Sequence, residues 1–509
     1  MSKKEERTGW GRWALFAAIL AIMALLFSIG FSMVRSSAPD TGVTAVESDS
    51  TFVIGLTDRP SSLDIRTNKE TSVEQALLAN VYESLVKRNN DNDVVPGIAK
   101  EWSISNDGLT YTFKLDSNAR FASGRELNSS DVVWSLEQIV RNHWQGADAL
   151  AQLQSVKNPD DQTVVIKLAE PNAALLRSLS GRAGIVYNPS ESKLNYENEA
   201  AGSGPFFVAS YNEDSIVLKR NTRYWAKPAQ ASQITLKYFD NESALVDAVN
   251  DDSVNMALPT RASSIEDAVN NPVFNVATGV SAQQVIVGFN NENKSILSDE
   301  QVRQAARYAI DTKTIAETMK DAYSALGGPI GPLEPGYEDL TDLFPHDVAK
   351  ARQMLSFFPA GYVGTIDFLV PPRYEDLGKM ATQNLQEAGF QVSMEVVDSG
   401  LLQSRIDNGD YDMAIMQLIG QYSYRQFTTP DSVFHYTNAH AQDEYKAALR
   451  STNATDYDKH LAAFARVASE DAASAWLYTR KDFVISKARL SGYPTTMTAT
   501  YLPLADLTR

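Results

Sequence analysis

A chain of 509 residues exceeds one small domain and implies two or three lobes. Its formal net charge of −17 argues against nucleic-acid binding, which needs a basic face. The absence of cysteine excludes disulfides, thiolate metal sites, thiol catalysis and a lipidated cysteine anchor.

Lys3, Lys4, Arg7 and Arg12 precede an apolar run, Trp13–Val34, that no charge interrupts. At helical rise it spans about 33 Å, enough for a bilayer core. Trp10 and Trp13 fit an interfacial belt, and the basic flank puts the N-terminus in the cytoplasm and the body outside. The alternative is a cleaved signal peptide, whose apolar core is shorter. A cut after Ala38 would leave Pro39 next, and one after Ala45 lies well beyond the run. An uncleaved anchor is the expectation, with residues 1–12 cytoplasmic, 13–34 in the membrane and 35–49 a linker.

The exported body alternates short strands with helices. Phe52–Leu56 reads as a strand and Val73–Arg88 as a helix with apolar positions at helical spacing. Leu109–Leu115 alternates strictly after an Asn106-Asp107-Gly108 turn. Asp131 is the expected N-cap of a helix over Val132–Val140. Thr163–Leu168, Ser215–Arg220 and Ile234–Phe239 read as strands, and Glu242–Val249 as a helix. From Gln283 on the pattern is strand (Val285–Asn290), helix (Asp299–Ile310), a Gly/Pro-rich loop (Gly327–Tyr337) and strand (Thr365–Val370). A helix to Gly389, strands at Gln391–Val397 and Tyr411–Leu418, and a helix from Asp456 to Asp471 complete an α/β grammar. Asn89–Gly97 lacks the closing Glu of a calcium loop and reads as a hairpin loop.

Six blocks stand in order: Arg59–Asp64 (RPSSLD), Asn80–Val86 (NVYESLV), Val95–Leu136, Gly202–Val208 (GSGPFFV), Arg220–Trp225 (RNTRYW) and Val287–Asp311. Together they resemble the extracellular solute-binding proteins of the peptide/nickel ABC transporter family, of the membrane-anchored Gram-positive type. The resemblance implies an α/β, two-lobed, periplasmic-binding-protein-like fold of type II, in its large peptide-binding subclass. The first lobe would span residues 50–282, with an extra subdomain at about 85–200, the second lobe 283–471, and residues 472–509 would return to the first. Crossings are expected near Gln283–Phe289 and Ser474–Arg480. The implied partners are a small solute, foremost an oligopeptide, the permease subunits of an ABC importer, and the membrane through the N-terminal helix.

The same resemblance implies ligand contacts in two segments. The loop after the first strand offers Lys69, Glu70 and Thr71, with an ordinary solvated loop as the alternative. The segment Gln417–Phe427 is where the family carries an acid for the ligand's ammonium, but here Gln421 stands at that position. A neutral amide hydrogen-bonds but forms no salt bridge, so the ligand is either blocked, held by its carboxylate, or not a peptide. Leu418 and Ile419 lead into this segment. Arg405 and Arg425 are candidate carboxylate clamps, and Tyr422, Tyr424 and Phe427 candidate stacking surfaces or core. None of the five histidines sits in H-E-x-x-H, and no G-x-S-x-G appears. His435 alone is a candidate toward a chelated metal. No catalytic residue, resident metal or cofactor is expected. The leading function is solute capture for an importer by hinge closure. The alternatives are an oligosaccharide, chelated-metal or other small-solute receptor, a sensor or chaperone on the same fold, and last an anchored hydrolase.

Overall fold

The computed structural model describes residues 50–487 and 489–509, apart from the side chains of Asp267, Gln421 and Tyr422. The chain divides into two units, Met1–Ser48 and Asp49–Arg509, and the described residues belong to the second. The expected membrane anchor at Trp13–Val34 lies outside them. Among the described residues no helix is long and apolar enough to cross a membrane.

Thr51–Leu56 pairs in parallel with Gln233–Tyr238 and with the short strand Met256–Ala257. Phe52 and Ile54 are buried on one face, as are Ile234 and Leu236 on their neighbour, the period-2 pattern of a pleated strand. Ser215–Arg220 and Phe206–Tyr211 extend this first-lobe sheet antiparallel. In the second lobe Thr365–Val370 runs parallel to both Gln391–Val396 and Met413–Ile419. The connecting helix, Glu375–Ala388, buries Leu377, Ala381 and Leu385 and stops at Gly389, whose φ of 104° suits only glycine.

Two long strands, Phe274–Phe289 and Ser474–Lys487, pair antiparallel and join both halves into an 11-stranded sheet. Phe274–Val280 pairs with the first-lobe end of its partner. Gln284–Gly288 pairs with Thr479–Ser474 and, on its other edge, with Met413–Ile419. The register slips between Val280 and Gln284, a bulge that lets the sheet bend between the lobes. The extra subdomain is a four-stranded antiparallel sheet, ordered Ala99–Ile104, Thr110–Leu115, Thr163–Leu168 and Leu153–Asp160. It is covered by the helix Ser129–Arg141.

Two local expectations are corrected. The helix over Val73–Arg88 is only Thr71–Leu77. Ala79 takes a positive φ of 65°, and Asn80 bonds the carbonyls of Ala76 and Leu502 and the amide of Leu504. The chain there serves to fasten the C-terminal segment, and Val86–Arg88 pairs instead as a strand with Val94–Pro96. Asp131 is not the N-cap. Asn128 caps that helix, and Asp131, in its first turn, accepts from the Asn128 amide at 3.0 Å and pairs with Arg125 at 2.6 Å.

Candidate functional site

The parallel strands of both lobes end at one cleft, the position where open α/β sheets gather ligands. The first strand exits through Leu56, Thr57 and Asp58, and the next helix opens with Thr71, Ser72 and Gln75. The second lobe contributes Arg373, just after the strand Thr365–Val370, and Gln417, near the end of Met413–Ile419. Gln283, Arg480 and Asp482 come from the two crossing strands, and Thr498 from the C-terminal return. They enclose a cavity of about 110 Å³.

Arg480 is held by three hydrogen bonds to protein. Its Nε donates to Asp321 Oδ2 at 3.0 Å and its Nη1 to Gln283 Oε1 at 2.5 Å, while Nη2 reaches the Thr260 carbonyl. Tyr478 donates its hydroxyl to Asp321 Oδ1 at 3.1 Å. Thr260 is fixed in turn by Glu242, whose Oε1 accepts from its amide at 2.8 Å and its hydroxyl at 2.7 Å. Tyr374 donates to Gln417 Oε1 at 2.9 Å.

Arg373 differs from Arg480. It reaches across to the same Thr260 carbonyl, so a second-lobe guanidinium touches the first lobe, yet no carboxylate pairs with it among the described residues. Burial, then the neighbouring Arg480, lower its pKa below the ordinary arginine value. Asp58 faces it from the other wall and makes no hydrogen bond or ion pair among the described residues. Burial raises its pKa, Arg373 opposes that, and Glu242 adds to it. Asp482, only 7 % exposed, accepts from the Thr498 amide at 2.7 Å and is pushed up to about 6 by burial. Gln75 Nε2 donates to the Thr498 carbonyl at 2.7 Å, closing this wall.

Of the residues singled out from sequence, Thr71 lines the cleft. Glu70 is turned back into its own loop, accepting from the Ser61 amide at 2.7 Å and Asn68 Nδ2 at 3.1 Å, and Lys69 is exposed beside it. Leu418 and Ile419 are half-buried and pair with Gln284 and Gln283 of the crossing strand. Tyr424 and Phe427 are corrected to core residues. Tyr424 is 1 % exposed among Tyr445 and Phe464, and Phe427 stacks on Phe434 with ring centres 4.6 Å apart. Arg405 is corrected as well: its Nε donates to the Asp410 carbonyl at 2.9 Å and it pairs with Glu395 at 3.3 Å, away from the cleft lining. Arg425 is half-buried on the helix Gln421–Arg425, whose first two residues, Gln421 and Tyr422, have side chains outside the description. His435 lines a separate open cavity of about 560 Å³ with Glu292, Arg303 and Asp471. Sequence reasoning missed Asp58, Gln283, Arg373, Arg480 and Asp482, and reached Gln417 only as the first residue of a ligand segment. The strand-exit rule was the available signal for Asp58 and Arg373, each within three residues of a parallel strand's end.

The sequence profile of the bacterial extracellular solute-binding proteins, family 5 middle, matches residues 93–441. Heme-binding protein A of Haemophilus influenzae is 25% identical over 392 residues, covering 70% of this chain and 71% of its own. The oligopeptide-binding protein AppA of Bacillus subtilis is 22% identical over 545 residues, covering 97% of each chain. Among solved structures, NikA from Brucella suis in complex with Fe(III)-EDTA superposes with a TM-score of 0.78 at 19% identity, covering 90% of this chain and 100% of that one.

Proposed function

This chain belongs to family 5 of the bacterial extracellular solute-binding proteins, and on that premise we propose that it captures a small carboxylate-bearing solute, foremost a peptide or peptide-like molecule, for an ABC importer. The observation that carries the reading is Arg373, a cleft guanidinium that no protein carboxylate pairs with among the described residues. A guanidinium takes a carboxylate bidentately, and a solute bridging Arg373 to the first-lobe wall favours the closed state that a permease recognises. Capture is by hinge closure about the bulged crossing strands, and no step of catalysis is involved.

The cavity of about 110 Å³ holds a few waters' worth of space, so an oligopeptide enters only if the lobes part further. Relatives of the same fold are named for oligopeptide, heme and a ferric chelate, which agrees with ligand choice residing in cleft side chains rather than in the fold. EDTA is itself a polycarboxylate, so a carboxylate metal chelate is the second reading that Arg373 favours. The N-terminal run Trp13–Val34 would hold the body at the outer face of the membrane. The test is mass spectrometry of small molecules released from the purified full chain by mild denaturation. A carboxylate-bearing solute at near-equal stoichiometry supports the proposal, and a released solute without an anionic group refutes it.

A further inference from the structure

Between the helix Val348–Leu355 and the strand Thr365–Val370 the second lobe carries an uncharged stretch, Gln353 to Ile366. Two of its aromatics stand in solvent. Phe357 is 74% exposed, more than any other large hydrophobic among the described residues, and Tyr362 is 50% exposed. Phe358 packs against the second-lobe core and stacks on Tyr362, with ring centres 5.0 Å apart and planes 6° from parallel. The Tyr362 amide donates to the Pro359 carbonyl at 3.0 Å, closing a turn through Ala360 and Gly361. Gly361 and Gly364 take φ of 80° and 65°, and a Cβ on either would meet nothing within 4 Å, so the turn projects from the body. The strand that follows runs about 20 Å before the chain reaches Arg373 of the cleft, so the turn stands at the strand's outer end.

We propose that this turn is a second membrane contact, at which Phe357 and Tyr362 enter the headgroup–acyl boundary of the bilayer. The inference rests on the anchor reading of Trp13–Val34 and is independent of the solute. Residues 35–49 extend at most about 50 Å, so a tethered body stays beside the bilayer. A contact too weak to recruit a free protein is then sustained by the local concentration that the tether imposes. Aromatic rings suit that boundary, because the ring is apolar and the phenol hydroxyl keeps a polar partner. The lack of charge matters on a chain of net charge −17: the stretch brings no carboxylate to an anionic lipid surface, and Lys350 and Arg352 precede it. A flexible tether alone leaves the body free to turn, whereas a second contact on the second lobe fixes how the cleft faces the membrane without covering it.

The test uses the full chain in nanodiscs of phosphatidylcholine and phosphatidylglycerol, with no permease. Ala360→Cys, exposed at the turn, leaves both aromatics in place and is labelled with an environment-sensitive fluorophore at the chain's one thiol. The reference is the same label at Asp376→Cys, whose side chain is 93% exposed. At Ala360 the emission is expected to shift to the blue of the reference and to be quenched by lipid carrying a nitroxide on its acyl chain. Adding Phe357→Ser and Tyr362→Ser is expected to return both readings to the reference level. Unquenched, solvent-like emission at Ala360 overturns the inference. So does a blue shift without lipid quenching, which marks a protein contact such as a second copy, and so does quenching that survives loss of both aromatics. A chain that fails to co-elute with nanodiscs overturns the anchor reading and this inference with it, while leaving the solute-capture reading standing.

Discussion

Trp225 donates its indole N–H to Glu83 Oε2 at 2.8 Å. The same carboxylate accepts from Ser203 at 2.9 Å and from Tyr224 at 2.7 Å, and pairs with Lys87 at 2.9 Å, all with the Glu83 side chain fully buried. Three sequence blocks thus meet at one residue: NVYESLV supplies Glu83, GSGPFFV supplies Ser203 and RNTRYW supplies Tyr224 and Trp225.

Glu83→Ala should destabilise the body by about 3–5 kcal/mol, since it removes a buried carboxylate that three donors and the half-buried Lys87 share. Glu83→Gln, which can still accept, should cost roughly half as much. Urea unfolding of the two variants against wild type checks the order.

That hub explains why the family was legible in the sequence and the ligand site was not. The blocks encode close packing of the first lobe. Gly202 is a second instance: a Cβ there would lie 2.2 Å from the Val81 carbonyl oxygen, so only glycine fits against NVYESLV. Hydrophobic period likewise gave most strands and helices, and it failed at Val73–Arg88, where apolar spacing ran on but Asn80 took the chain to the C-terminal segment. The cleft is assembled from single residues far apart in sequence, such as Asp58, Arg373 and Arg480, and only their place after a parallel strand's end marks the first two. Tyr424 and Phe427 misled because an aromatic cluster looks the same in a core as beside a ligand.

Arg373→Ala should weaken solute binding tenfold to a hundredfold, or about 1.5–3 kcal/mol for a charge-assisted bond. Arg405→Ala should leave it unchanged, because Arg405 is committed to Asp410 and Glu395. Titration of both variants with the released solute separates the two arginines.

Arg177 of the subdomain and Glu334 of the second-lobe loop form a second tie between the lobes, 3.0 Å apart with both side chains nearly buried. Asn92 reinforces it by donating to Glu334 Oε1 at 3.2 Å and to the Leu333 carbonyl at 2.9 Å. Glu334→Ala leaves Arg177 without its carboxylate, and should favour the open arrangement and lower solute affinity about tenfold, or about 1.4 kcal/mol. Dissociation rates measured by stopped flow should rise correspondingly.

Asp482 gives a pH dependence of defined sign. Its folded pKa of about 6 exceeds its ordinary value of 3.8, so the folded state binds this proton more tightly than the unfolded chain. The stability it contributes is full below about pH 4 and is lost as pH rises through about 6. Asp482→Asn should therefore be more stable than wild type at pH 7.5, on the order of 2–3 kcal/mol, with the difference shrinking toward pH 4. Denaturant unfolding of the pair at pH 4.5, 6 and 7.5 checks the trend.

Because the chain has no cysteine, two introduced ones give a clean distance across the cleft. Lys69→Cys, exposed on the first-lobe loop, and Asp376→Cys, 93% exposed at its side chain on the second-lobe helix, carry spin labels without touching the cleft residues. With the full chain stripped of solute and then resupplied, closure about the bulged crossing strands predicts that the label distance shortens and its distribution narrows. An unchanged distance at saturating solute would contradict capture by hinge closure.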